Sequence, residues 1–160
     1  GNAQSVYTVF GSNFGPNASP LSLPAAYQEA TPFGVNVGGV SPAFVNAQAS
    51  ASFDSYLTVG ITDGDTTGAL SSIGIDFDSW TAESDLYSDD GAVFWMDPTA
   101  APTSGTIVVG QLTVRTGFTS LPVEMDAQGH SRFGVPDWDN ELSFQVQGDA
   151  SSAAVVGGGH

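Results

Sequence analysis

Punctuation is what most constrains this chain. Twenty Gly and nine Pro in 160 residues, with Ser, Thr, Asn and Asp among them, break the sequence every few positions. These residue types favour turns or destabilise helix interiors, so long amphipathic helices are not expected. Between the breaks lie short β-branched and aromatic runs, at 5–10, 34–40, 43–53, 55–61, 73–77, 92–96, 106–114, 141–147 and 153–156. Several alternate with a period of two. Leu57, Val59 and Ile61 alternate with Tyr56, Thr58 and Gly60, and Phe144 and Val146 with Ser143, Gln145 and Gln147, the mark of half-buried antiparallel strands. The expectation is an all-β fold, a single antiparallel β-sandwich of jelly-roll or Greek-key type, with at most one helical turn within 22–30.

Thirteen Asp and four Glu face two Arg and no Lys, for a formal net charge of −15. A surface so poor in cations cannot neutralise a row of phosphates or adhere to anionic headgroups, which excludes nucleic acid and electrostatic membrane association. Partners are expected to be neutral, cationic or metallic. Ten Phe, three Trp and four Tyr supply apolar area for a core, unlike acidic disordered tails. No stretch approaches the roughly 18 apolar residues of a membrane span. The first residue is Gly1 rather than Met, as removal of a signal peptide would leave it. Without cysteine there is neither a disulfide framework nor a thiolate nucleophile or metal ligand.

Residues 1–33 read differently from 34–160. The run 5–10, SVYTVF, has strong strand propensity, yet the next 22 residues hold Gly11, Gly15, Pro16, Pro20, Pro24 and Pro32, which favour a long, poorly paired connector. An apolar strand on a stiff tether can complete the sheet of a neighbouring molecule, an arrangement that polymerises head to tail unless it closes. Val6, Tyr7, Val9 and Phe10 would be the inserting side chains. The plainer reading makes 5–10 an ordinary first strand of its own sheet.

Chemistry-bearing motifs are sparse. His130, in the loop-like context Gly129-His130-Ser131-Arg132, is the one histidine away from position 160, and neither G-x-S-x-G nor H-E-x-x-H is present. An enzyme is therefore not expected. Asp63-Gly64-Asp65-Thr66-Thr67-Gly68 matches the first half of a calcium loop but has Gly74 where the bidentate Glu belongs, so a structural calcium on Asp63 and Asp65 is the candidate metal site. The plain alternative is that Asp favours turns by bonding nearby amides. Asn17-Ala18-Ser19 is a glycosylation sequon in the Pro-rich connector. Trp80, Trp95 and Trp138, with Tyr56 and Tyr87, could form a sugar-stacking platform, against which core packing is the competing role.

The motifs Phe53-Asp54-Ser55-Tyr56-Leu57-Thr58-Val59-Gly60, Ile73-Gly74-Ile75-Asp76-Phe77 and Asp90-Gly91-Ala92-Val93-Phe94-Trp95, followed by Gly110-Gln111-Leu112-Thr113-Val114, resemble an uncharacterised secreted β-domain of planktonic microalgae and planctomycete-type bacteria. The resemblance spans roughly residues 43–140 and implies secretion and a β-rich fold. It names no activity. The functional expectation is a secreted, non-enzymatic structural subunit that assembles with itself into a filament or surface layer by donating its first strand. The alternative is a calcium-dependent carbohydrate-binding or adhesion module, with glycans as partners.

Overall fold

The computed structural model describes residues 4–16, 18–117, 121–132, 136–146 and 152–156. Ten strands run among them: β1 (Thr8–Ser12), β2 (Leu21–Leu23), β3 (Tyr56–Leu57), β4 (Leu70–Ile73), β5 (Leu86–Ser88), β6 (Asp90–Trp95), β7 (Ile107–Leu112), β8 (Leu121–Gly129), β9 (Trp138–Val146) and β10 (Ser152–Val156). All ten pair antiparallel. The larger sheet runs β4-β6-β1-β8-β2-β5 with β9 on β8, and the smaller runs β10-β7-β3. Buried side chains of both sheets belong to one cluster, as expected of a sandwich-like all-β fold.

The larger sheet is simpler than its strand list. β1 pairs with β6 and with the far half of β8, while β2 pairs with β5 and with Glu124 of the same β8. Only Asp89 separates β5 from β6. β1 with β2, and β5 with β6, are therefore two long strands, the first interrupted by an excursion over 13–20. Where the chain leaves the sheet, the Ser12 amide donates to the Ser19 carbonyl at 2.8 Å and closes the excursion. Gly11 permits this crossing, because a Cβ there would lie 2.1 Å from the Ser88 carbonyl oxygen and 2.4 Å from the Leu21 nitrogen.

This geometry corrects the expected connector. The segment after residue 10 is no free tether, since β2 within it is hydrogen-bonded on both edges and Leu21 and Leu23 are buried in the core. β1, before it, sits between β6 and β8 in the larger sheet. Alternation explains the burial. Val9 is flanked by Val93 and Ala127, and none of the three is exposed, while Val123 and Met125 continue the inner face of β8. Leu57, Val59, Ile107, Val109 and Leu112, in and beside the smaller sheet, belong to the same cluster. Each such side chain contributes about 1.5–3 kcal/mol through burial.

Three further expectations are revised. The run 43–53 folds as helix α1 (Pro42–Ala47) and a 3-10 turn (Ala49–Phe53), because Ser41 caps the Phe44 amide and Pro42 occupies the first helical turn. The segment 24–30 forms no helix; its Ala26 and Tyr27 amides donate to Thr81 and Thr113 carbonyls. β8, the spine of the sheet, was not among the expected runs. No helix of the described residues is long and apolar enough to cross a membrane.

Candidate functional site

The residues expected to insert into a neighbour are engaged within their own chain. Val6 and Val9 are buried in the core. The Tyr7 hydroxyl donates to Asp137 Oδ2 at 3.0 Å, and Asp137 Oδ1 lies 3.0 Å from His130 Nδ1. The Tyr7 and His130 rings are 4.8 Å apart. Burial, then the hydrogen bond to Asp137, push the Tyr7 phenol up to about 12. The His130 and Tyr7 bonds hold the Asp137 carboxyl below the ordinary aspartate range. His130 thus helps clamp the start of β1 to the β8–β9 connection.

Phe10 behaves differently. It lies on the outer face of the larger sheet, in the cross-strand row Ala92–Phe10–Asp126–Glu141. Residues 14–16 lie beside this row, their start stiffened where Ser12 Oγ accepts the Phe14 amide at 3.1 Å and donates to the Phe14 carbonyl at 2.9 Å. Between loop and sheet opens a cleft of about 160 Å³, lined by Phe10, Phe14, Pro16, Asp126, Asp139 and Glu141 along with Ser12 and Asn140. Phe14 is 89% exposed, an aromatic ring that the core does not use.

Asp126 is the unusual member. It is only 4% exposed, its carboxylate accepts the Ser19 amide, and its Oδ1 has no hydrogen-bond partner. Burial, then the neighbouring Glu141 and Asp139 charges, raise its carboxyl above the ordinary aspartate range. Asp54 provides the contrast. It is 1% exposed, yet Oδ1 accepts the Glu29 amide at 2.9 Å and Oδ2 the Val35 amide at 2.7 Å. A buried acceptor left open costs desolvation without compensation, so Asp126 marks a place where a donor is missing.

The calcium candidates lie elsewhere. Asp63 and Asp65 share one turn in which Gly64 and Gly68 have positive φ. Asp65 Oδ1 accepts the Ala69 amide at 2.9 Å and Oδ2 the Leu70 amide at 2.8 Å, so turn formation by itself accounts for this carboxylate. Burial tends to raise its carboxyl, but these amide bonds outweigh it and leave a lowered value. Among the described residues, no three acidic or imidazole groups converge to hold a metal ion. Asn17 lies outside the described residues.

All three indoles are structural. Trp80 donates to the Pro24 carbonyl, Trp95 to that of Val59 and Trp138 to that of Ser5, and each packs on the core. They do not form a shared platform. A second hollow, of about 540 Å³ around Ala26, Tyr27, Phe53 and Val114, is larger, but it is open and apolar, and none of its described lining residues carries a buried side-chain polar atom without a partner.

Sequence reasoning missed Asp126, Asp139 and Glu141 as a group. The signal was present in the alternation of Val123, Met125 and Ala127, which turns residue 126 outward, but the cross-strand partner depends on the β8–β9 register. Comparison with protein-family models, with curated proteins and with solved structures gives no match.

Proposed function

We propose that this protein is a non-enzymatic binding module of the adhesion type, which engages its ligand in the cleft between the 13–16 loop and the β8–β9 pair. The observation that carries this reading is the buried, unpartnered Oδ1 of Asp126, a residue that lines the cleft together with an exposed Phe and two further carboxylates. An aromatic ring that the core does not need and an acceptor that the fold does not fill are both costs to the free protein, and ligand contact relieves both. An extracellular setting, implied by the resemblance of residues 43–140, belongs to the same proposal.

The test is a chemical-shift titration of the full chain against alkylammonium ions, saccharides and calcium chloride. Perturbation should concentrate at residues 10–16, 126 and 139–141 for at least one class. The exposed variants Phe14→Ala and Glu141→Gln should weaken binding without lowering the melting temperature. A cleft that responds to none of the three classes overturns the proposal.

Self-assembly through β1 is a second reading, favoured by one observation. Both sheet neighbours of β1 come from distant parts of the chain, and its covalent link to β2 runs through the 13–20 excursion. β1 of another copy would fit the same slot, so assembly takes the form of strand exchange hinged in that loop. Mass in solution across a dilution series decides it. A high-mass species that persists on dilution supports exchange, and a monomer at every concentration removes it.

A further inference from the structure

We infer that the ligand of the cleft is an organic cation, an ammonium head on an apolar stem, instead of a metal ion or a saccharide; this rests on the binding-module reading above. Donor and acceptor inventory makes the choice. Asp126, Asp139 and Glu141 offer acceptors only when ionised, and Ser12 Oγ is already committed in both directions to Phe14. Among the described lining residues, Asn140 is the other one with a side-chain donor. A saccharide presents hydroxyls that both give and take hydrogen bonds and would leave most of its acceptors unmatched here. An alkylammonium group has donors and no acceptor, which matches a lining whose charged side chains are all carboxylates.

Spacing argues against a metal. Calcium needs six to eight oxygens at roughly 2.3–2.6 Å, and the described carboxylates do not converge to that degree. A cleft of about 160 Å³ suits a larger cation, whose hydrogen-bond contacts span close to 3 Å. Phe10 and Phe14 supply ring faces for the stem and for cation–π attraction. The surroundings reinforce the sign. Neither Arg lines the cleft, Arg115 is paired with Glu83, and the whole chain carries −15. The ammonium comes either from a free amine or from the lysine of a peptide, and the chemistry at the head is the same.

The experiment is a titration of the full chain at neutral pH and matched ionic strength with pentylamine, with 1-pentanol as its uncharged counterpart, with a blocked Gly-Lys-Gly peptide and with calcium chloride. Resonances of Phe14, Asp126, Asp139 and Glu141 should move with pentylamine or the peptide and not with pentanol. Asp126→Asn and, separately, the exposed Glu141→Gln should each weaken amine binding by about tenfold. Stronger response to the peptide than to pentylamine assigns the source to protein; the reverse assigns it to a small amine. Equal binding of pentanol, or preferential occupation of the cleft by calcium, overturns the ammonium assignment while leaving a binding module. A carboxyl of Asp126 that NMR finds protonated at neutral pH and unmoved by every probe overturns it too, because the orphan oxygen would then carry its own proton.

Discussion

Asp126 and Asp137 make opposite contributions to the pH dependence of folding. Asp126 is raised by burial and by its acidic neighbours, so the folded state holds its proton more tightly than the unfolded chain does. Stability from this group is therefore lost as pH rises upward from the ordinary aspartate range. Asp126→Asn should be at least as stable as the parent at neutral pH, with the difference vanishing on acidification; melting curves from acid to neutral pH check this. Asp137 is lowered by His130 and then Tyr7. Its contribution is present above the ordinary aspartate range and disappears as pH falls through its depressed value. Asp137→Asn should flatten the acid limb of the same curves, and a limb unchanged by the substitution would show that the clamp on Tyr7 is energetically silent. In the core, Val9→Ala opens space in the middle of the sheet and should cost about 2 kcal/mol by urea denaturation.

Elements were legible to the degree that their residues carry a local signal. β6 and β7 follow closely from their apolar runs, and β9 begins before its run because it pairs along the whole of β8. β8 was missed because its buried apolar residues Val123, Met125 and Ala127, set between Pro122, Glu124, Asp126 and Gln128, form no contiguous β-branched or aromatic run, and its paired state is supplied by three neighbouring strands. The run 43–53 misled in the other direction. Its apolar content resembles a strand, but Ser41 and Pro42 start a helix that local capping decides. The excursion is the harder case: Gly and Pro say that the chain turns, and nothing local says that it returns to the line it left. Gly11→Ala tests that return. A methyl against the Ser88 carbonyl and the Leu21 amide should destabilise the fold by about 1–3 kcal/mol and shift the β2 amide resonances. Hydrogen exchange at Leu21–Leu23 left unaltered would contradict the crossing.

For the molecule as a whole, −15 on a chain of 160 residues sets a self-repulsion that any assembly must overcome. Sodium chloride should raise the melting temperature, mostly over the first few hundred millimolar as screening shortens the reach of surface charge to less than about 10 Å. If strand exchange operates, the same addition should shift mass upward, and a melting point indifferent to salt would mean that the carboxylates are already neutralised within the fold. The acidic surface was readable from composition, whereas its local concentration on one sheet face was not, because it depends on which strands lie side by side. The closed excursion has a consequence of its own. Its ends are fixed by the Ser12–Ser19 bond and by the crossing at Gly11, so the six positions between them are a cassette. Rewriting that cassette would regraft the rim of the acidic cleft onto an unchanged scaffold, much as an engineer changes a tool bit and keeps the chuck.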